Sequence, residues 1–173
     1  MTDSLQISHA TPPSPDLLIR DGVDGDSWDV IGLVAACWSE YPNCVLDIDG
    51  EVPYLRTVAS AFAGWGGRFW VAEGGGRAVA CVGCAPGGTP DELELRMLYV
   101  GRRWRKRGLG ERLAALVEAE AGARAATSIV LWSDTRFKDA HRLYERLGYA
   151  RGPTRELHDL SKTVEYRFRK SLP

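Results

Sequence analysis

The feature that most constrains this fold is a change in hydrophobic period around residue 108. Apolar and polar residues alternate over residues 92–100, which is the period of a β-strand. Over residues 109–120 the apolar residues recur at helical spacing instead. Gly108 and Gly110 stand at the change, and because glycine lacks a Cβ atom, the backbone can turn tightly there and approach a ligand. The pattern predicts a strand, a tight turn and a helix whose first N–H groups can bind an anion.

The spacing of this turn excludes two other phosphate-binding loops. A Walker loop ends in Gly-Lys-Ser or Gly-Lys-Thr, whereas this chain has Gly108-Leu109-Gly110. A dinucleotide-binding fingerprint needs a third glycine where this chain has Leu113. The pattern that remains is Arg105-x-x-Gly108-x-Gly110. Further basic residues surround it and add long-range attraction for an anion: Arg102, Arg103, Lys106 and Arg107.

A second pattern lies downstream of the first. Residues 129–132 have the composition of a strand, and residues 133–135, Ser-Asp-Thr, are types that cap helix N-termini. Apolar residues and Tyr144 then share one face of a predicted helix over residues 140–147. Gly148 follows as a left-handed C-cap. This pattern predicts a strand, a short connection and an amphipathic helix.

Together the two patterns resemble the GNAT superfamily of acyl-CoA-dependent N-acetyltransferases. Arg105-x-x-Gly-x-Gly is similar to the family's pyrophosphate-binding motif, and residues 140–149 are similar to its late helix, in which a tyrosine points at the CoA sulfur. The two motifs stand in the order that the family fold requires. The similarity extends from about Trp70 to Tyr149, roughly half of the chain.

The resemblance implies that acetyl-CoA is the acyl-donor cosubstrate. Its pantetheine arm is expected to lie between splayed fourth and fifth strands, here residues 92–100 and 129–132. In that arrangement Leu98 N–H faces the thioester carbonyl and Val100 faces the pantetheine amide. The residues that the resemblance assigns to the cofactor are Leu98, Tyr99, Val100, Arg105, Lys106, Arg107, Gly108, Leu109, Gly110 and Glu111.

The remaining sequence predicts one domain over residues 16–173, preceded by a flexible, proline-containing lead over residues 1–15. The predicted fold class is α/β, with a GNAT-like mixed, largely antiparallel twisted sheet and helices on both faces. Besides the elements above, strands are predicted at residues 17–20, 68–73, 77–85 and 163–169, and helices at residues 26–41 and 51–63. The glycines at 74–76 are predicted to connect a β-hairpin.

Composition narrows the class of protein further. The chain has 173 residues, of which 45% are hydrophobic, and this is enough to build one full core. Its net charge of −1 argues against a general polyanion binder. The longest apolar run, residues 30–38, is too short to span a bilayer, and residues 1–10 do not have the pattern of a signal peptide. We therefore expect a cytoplasmic protein that binds neither membrane nor nucleic acid.

The cysteines are expected to be buried, reduced thiols. Cys81 and Cys84 lie on one predicted strand, where an offset of three places side chains on opposite faces. No second cysteine pair or nearby histidine completes a zinc site, so no bound metal is expected. No cysteine matches a family nucleophile either, which favours direct attack by an amine in a ternary complex over an acyl-enzyme.

Two residues are candidates for proton transfer. Tyr144 is expected to protonate the departing CoA thiolate, because a phenol can donate a proton without being charged beforehand. Glu94 is the first candidate for the general base, since it lies on the same nominal strand face as Leu98, unless a bulge reverses the alternation. His141, one helical turn before Tyr144, is a further titratable candidate.

One position departs from the family pattern. Phe137 stands where many relatives carry an asparagine that helps hold the cofactor, and a phenyl ring cannot make that hydrogen bond.

A different segment suggests the kind of acceptor. Asp47 and Asp49, near Trp38 and Tyr41, suggest an acidic lip that attracts a small cationic amine. The acceptor itself, a small molecule or a peptide amine, is not specified by the sequence.

Two alternative functions stay open at this point, and the oligomeric state is a separate question. The basic cluster at residues 102–107 could contact nucleic acid, although the chain as a whole is nearly neutral. A non-catalytic acyl-CoA-binding sensor or structural protein could keep the same loop without transferring an acyl group. An exposed final strand at residues 163–169 could support a homodimer.

Overall fold

The computed structural model describes residues 17–173, so the predicted lead over residues 1–15 lies outside the described residues. Within this range the chain forms seven strands and four α-helices. In chain order they are β1 (Leu17–Asp21), α1 (Ser27–Trp38), α2 (Val58–Gly64), β2 (Arg68–Gly74), β3 (Arg77–Pro86), β4 (Glu92–Val100), α3 (Leu109–Ala123), β5 (Ser128–Asp134), α4 (Lys138–Arg146), β6 (Ala150–Glu156) and β7 (Val164–Ser171). Short 3₁₀ turns cover Asp24–Asp26, Pro53–Thr57 and Arg102–Trp104.

The strands form one sheet in the order β1-β2-β3-β4-β5-β7-β6. Neighbouring strands are antiparallel except β4 and β5, which are parallel. The parallel pair requires a crossover, and α3 supplies it. The predicted class, a mixed and largely antiparallel sheet with helices on both faces, is confirmed. None of the helices in residues 17–173 is both long and apolar enough to cross a membrane.

The fourth and fifth strands separate, as predicted. Glu92–Glu94 of β4 pairs with Ser128–Val130 of β5, and beyond Glu94 the two strands no longer pair. The remainder of β4 therefore has one edge without a neighbouring strand, facing the end of β5. Unpaired backbone N–H and C=O groups along such an edge can bind an extended ligand.

A β-bulge changes the direction of side chains within this free part of β4. Arg96 pairs with Gly83 and Tyr99 with Cys81, so Met97 and Leu98 together oppose one residue of β3. Met97 has a φ of 58°, in the left-handed region. Because the bulge shifts the alternation, Leu98 packs with the core under α3 and α4, while Met97 packs with the core under α1 and α2.

Each face of the sheet has its own hydrophobic core. Residues of α3, including Leu113 and Val117, pack against one face, and residues of α1, including Val30 and Val34, pack against the other. The two β3 cysteines divide between these cores: Cys81 belongs to the α1 side and Cys84 to the α3 side. All four cysteines are free thiols, and the prediction of opposite faces is confirmed.

The end of the chain differs from the prediction in two ways. β6 was not expected from the sequence, because all seven of its residues are exposed and show no alternation of apolar and polar side chains. The final strand, β7, lies between β5 and β6 and is not an edge. The exposed edge on this side of the sheet is β6. The expectation that the final strand is an exposed edge is therefore wrong, and dimerisation itself stays a prediction.

Three helix boundaries also differ. The first helix ends at Trp38 rather than Tyr41. The second predicted helix begins with a 3₁₀ turn at Pro53–Thr57, and α2 proper starts at Val58. The expected N-cap at residues 133–135 is wrong: β5 continues through Asp134, and Phe137 is the N-cap of α4.

Candidate functional site

A cavity of about 780 Å³ opens where β4 and β5 separate. Its walls come from the end of β4, the turn after it, the starts of α3 and α4, the end of α1 and two loops near the end of β5. Most residues predicted for the site line this cavity: Leu98, Tyr99, Val100, Arg105, Lys106, Gly108, Leu109, Gly110, Glu111 and Tyr144. Arg107 and Glu94 are not among the lining residues.

The first turn of α3 provides the anion-binding part of the wall. Gly108 is the N-cap, with a φ of 72°, and a Cβ atom on it would meet nothing within 4 Å. The first hydrogen bond of the helix runs from Arg112 N–H to the Gly108 carbonyl, at 3.0 Å. The N–H groups of Leu109, Gly110 and Glu111 precede that bond and have no partner within the helix. Unpaired N–H groups at a helix N-terminus, beside an open position at Gly108, are suited to binding an anion such as a diphosphate.

Gly110 has a different role from Gly108. A Cβ atom at this position would lie 3.0 Å from Cδ2 of Leu143 on α4. The missing side chain therefore allows the first turn of α3 to approach α4 closely, so that both helix starts reach the same cavity.

Arg105 anchors the turn and does not present a free charge to the cavity. Its guanidinium donates to both carboxylate oxygens of Glu40 at the end of α1, at 2.6 and 2.8 Å. Its Nε donates to the Val100 carbonyl at 2.8 Å. The ion pair raises the pKa of Arg105 and lowers that of Glu40. Pairing with Glu40 also removes one of the charges that a nucleic acid would contact.

Tyr144 lines the cavity, and its ring is packed in the core under α3. The ring centroid lies 5.5 Å from that of Phe168 and 6.0 Å from that of Tyr149. Burial alone raises the pKa of Tyr144, and within residues 17–173 no hydrogen bond engages its hydroxyl. The phenol is therefore protonated at neutral pH and free to donate, as the expected acid role requires.

His141 lies beneath the cavity and not in its wall. Nε2 lies 2.9 Å from the Asp134 carbonyl, and the ring packs against Tyr166 and Phe168. Burial lowers the pKa of His141. The imidazole is therefore neutral near pH 7 and bonded to the end of β5, which fits a structural contact between α4 and the sheet.

Glu94 lies on the other sheet face from Leu98, which corrects the expectation of a shared face. The bulge at Met97 causes the difference, because it reverses the alternation between the two residues. Burial is the main cause of the raised pKa of Glu94, and nearby Arg96 and Arg155 oppose that shift. A half-buried carboxylate with a raised pKa has the chemistry of a general base, although water must connect it to the cavity.

Several lining residues were not singled out from the sequence. Trp132 and Asp134 come from β5, Arg136 from the connection to α4, and Glu165 from β7. Glu165 is paired with Arg155 at 2.7 Å and contributes to the electrostatic environment of Glu94. The strand alternation at residues 163–169 was visible in the sequence, but nothing there indicated that β7 lies beside β5.

Phe137 has a specific contact in place of the family's asparagine. Its ring lies 4.8 Å from the ring of Tyr41, and both residues line the cavity. The phenyl ring therefore fixes the segment after α1 against the start of α4, and it provides no hydrogen bond for a cofactor.

The acidic lip is not supported by the positions of its carboxylates. Asp47 accepts a hydrogen bond from Gly50 N–H at 2.9 Å, and Asp49 pairs with Arg56 at 2.7 Å. Neither aspartate lines the cavity. Both carboxylates thus act within their own loop, and the acidic groups that do line this part of the cavity are Asp134, Asp159 and Glu165.

The sheet of this protein splits between β4 and β5 beside the N-terminus of α3, and Tyr144 lines the resulting cavity. Solved structures share the fold. A GNAT-family acetyltransferase from Staphylococcus aureus Mu50 superposes with a TM-score of 0.74 at 18% identity, covering 88% of this chain and 99% of that one. For yncA from Salmonella typhimurium, solved with its cofactor acetyl-CoA, the TM-score is 0.67 at 16% identity, covering 91% and 95% of the two chains.

Sequence comparison identifies the family. The model of the acetyltransferase (GNAT) family matches residues 32–149, and the chain belongs to this family. A probable N-acetyltransferase, camello, from Xenopus tropicalis is 34% identical over 104 residues, which is 57% of this chain. That match covers 48% of camello, so this chain spans about half the length of that relative. The GNAT resemblance expected from the two motifs is confirmed.

Proposed function

We propose that this protein transfers an acetyl group from acetyl-CoA to a primary amine by direct attack in a ternary complex. The observation that carries the proposal is the separation of β4 from β5 after Glu94, beside the unpaired N–H groups that start α3. Tyr144 lines the same cavity. A small-molecule or peptide amine is the proposed acceptor.

Acetyl-CoA would supply the activated thioester when bound. The N–H groups of Leu109, Gly110 and Glu111 are proposed to hold its diphosphate, and the open position at Gly108 supports this assignment. Leu98 N–H is proposed to face the thioester carbonyl and to stabilise the oxyanion formed during attack. The Val100 carbonyl already accepts from Arg105, so Val100 would contact pantetheine through its remaining backbone group.

Proton transfers accompany the reaction. An alkyl ammonium, whose pKa in water is about 10.4 if lysine-like, must lose one proton before its nitrogen can attack. We assign the removal of this proton to Glu94, acting through water and releasing it to solvent. Attack forms the C–N bond, and Tyr144 donates a proton to the sulfur as the tetrahedral intermediate collapses and the C–S bond breaks. The nitrogen loses its second proton in the same collapse, and a proton returned through solvent restores the Tyr144 phenol, so the products are an amide and the CoA thiol.

The cavity thiols favour direct attack. Cys37 and Cys44 line the cavity, but burial raises the pKa of both thiols. A thiol that stays protonated at neutral pH is a weak nucleophile, so an acyl-cysteine intermediate is not part of the proposal.

Calorimetric titration with acetyl-CoA tests the proposal before an acceptor is known. We expect saturable binding with one site per chain, followed by CoA release when the correct amine is added from a screen. Absence of binding would overturn the proposed function. Binding without transfer to any amine class would instead favour the non-catalytic acyl-CoA-binding protein.

A further inference from the structure

The Arg136 side chain joins three separate segments at the edge of the cavity. It forms a bidentate ion pair with Asp134 at the end of β5, with shortest distances of 2.6 and 2.9 Å. Nη1 donates to the Pro42 carbonyl at 3.1 Å, and Nη2 donates to the Ser161 carbonyl at 3.4 Å. One guanidinium thus connects the β5–α4 junction to the segment after α1 and to the segment before β7.

These two segments form a continuous part of the cavity wall, which we term the acceptor loops: residues 39–52 and residues 157–163. They are bonded to each other as well as to Arg136. Val45 N–H donates to the Ser161 hydroxyl oxygen at 2.8 Å, and Leu160 N–H donates to a Glu51 carboxylate oxygen at 2.7 Å. Both loops line the cavity, through Tyr41, Cys44, Leu157, Asp159 and Ser161.

The charge and donors of Arg136 are already used within the protein. The side chain of Asp134 is only 7% exposed and that of Arg136 is 24% exposed, so water screens the ion pair weakly. Asp134 is the main cause of the raised pKa of Arg136. A guanidinium neutralised in this way does not recruit a substrate anion, and its effect on the site is to hold the loops in place.

Arginine suits this position because of its shape. The planar guanidinium carries five N–H donors in a fixed fork and can bond a carboxylate and two carbonyls together. Lysine has the same charge on a single nitrogen and cannot reproduce all three contacts.

We infer that Arg136 is a positioning residue for acceptor recognition, which fixes both acceptor loops relative to β5. The inference rests on the proposed function, because it assumes that an amine enters between these loops. The diphosphate-binding turn at Gly108 shares none of the Arg136 contacts, so acetyl-CoA affinity is independent of them.

Hydrogen–deuterium exchange of the free protein tests the structural part without any substrate. In Arg136→Gln we expect faster exchange in residues 39–52 and 157–163 together, with exchange in β2 and β3 unchanged. Arg124→Gln is the matched control, since Arg124 also pairs with a carboxylate, Glu120, and donates to a backbone carbonyl, that of Gly66, away from the cavity. Unchanged exchange in the acceptor loops would overturn the inference.

Kinetics test the functional part. In Arg136→Gln we expect KM for the amine to rise at least tenfold, kcat to stay within threefold, and the acetyl-CoA Kd to stay within twofold. Arg136→Lys should show most of the same rise, and Arg124→Gln should show none. An equal loss of acetyl-CoA affinity would overturn the inference, whereas failure of the unsubstituted protein to bind acetyl-CoA would overturn the proposed function instead.

A second variant covers the case in which Arg136→Gln fails to fold. Asp134→Asn keeps an oxygen acceptor and the side-chain volume but removes the charge that holds the guanidinium. It should produce the same joint release of both acceptor loops. Release of one loop alone, or of neither, would contradict a shared anchor.

Discussion

Among individual side chains, Tyr144 carries the hydroxyl that we propose as the proton donor to the departing sulfur. Tyr144→Phe removes the proposed proton donor and keeps the ring that packs on Phe168. We predict a fall in kcat of about 100-fold or more, as is usual for loss of a general acid, with acetyl-CoA affinity nearly unchanged. Steady-state kinetics combined with calorimetry would check both quantities.

Tyr149→Phe provides the matched control. The Tyr149 ring lies 6.0 Å from the Tyr144 ring, but its hydroxyl is buried without a hydrogen-bond partner among residues 17–173, and Tyr149 does not line the cavity. Its removal should leave kcat unchanged and, by relieving an unpaired buried group, raise the unfolding free energy by about 1 kcal/mol. Similar losses of kcat in both variants would indicate damage to packing and would exclude the acid role.

Glu94 leads to a prediction about pH. A general base must be deprotonated to act, and burial places the pKa of Glu94 above the ordinary glutamate value of 4.5. Activity should therefore fall as pH decreases through that raised pKa, and it should be fully present above it. The pH profile of kcat/KM in Glu94→Gln should lose this acid limb along with most of the rate. An acid limb that persists unchanged in the variant would assign the base to another group.

Positions in the cavity were predictable where a local pattern or the family resemblance marks them, and less so where distant segments meet. The turn at Gly108 follows from glycine chemistry, Tyr144 follows from the resemblance to the family's late helix, and both line the cavity. The true face of Glu94 depends on a bulge at Met97, a residue type that rarely adopts a positive φ. Glu165 depends on the pairing of β7 with β5, which no local pattern records.

At the scale of elements, the turn between β4 and α3 should tolerate substitution less well than an equivalent turn elsewhere. Gly108 and Gly75 both have positive φ, 72° and 63°, and a Cβ atom on either meets nothing within 4 Å. Alanine at each position should cost about 1 kcal/mol of stability for the same backbone reason. Only Gly108→Ala should weaken acetyl-CoA binding, by tenfold or more, because its methyl group enters the diphosphate space.

Calorimetry on both glycine variants measures this difference directly. Gly75 lies in the β2–β3 hairpin and outside the cavity lining, so its variant reports the stability cost alone. Equal acetyl-CoA affinity in the two variants would show that the α3 N-terminus does not hold the diphosphate.

Elements with clear periodicity were predictable from the sequence. Elements without it depend on pairing between distant segments, which a single sequence does not record. The β2–β3 hairpin, β4 and α3 have alternating or helical patterns and lie close to where they were expected. β6 is exposed along its whole length, so no burial pattern marks it, and only pairing with β7 makes it a strand. β5 extends beyond its predicted end because Ser133 and Asp134 pair with Tyr166 and Glu165 of β7, a long-range contact that no local pattern records.

For the molecule as a whole, the two cores predict an order of thiol reactivity. Burial raises the pKa of all four cysteines, yet Cys44 is only half-buried, while Cys81 and Cys84 are fully buried in different cores. Native protein treated with iodoacetamide should be modified first at Cys44. Cys81 and Cys84 should react only on global unfolding, and at similar rates.

Peptide mass spectrometry over a labelling time course would check this order. Labelling of Cys84 well before Cys81 would show that the core under α3 opens separately from the core under α1. Such a result would contradict a single cooperative unfolding unit.

The pairing between β4 and β5 is short, and it joins the N-terminal and C-terminal halves of the sheet. The sheet's four N-terminal strands and three C-terminal strands pair along Glu92–Glu94 and Ser128–Val130, and the core under α3 spans both halves. A ligand arm lying in the gap would bond to both halves at once. Substrate binding would then complete the sheet at the position where its own strands do not pair.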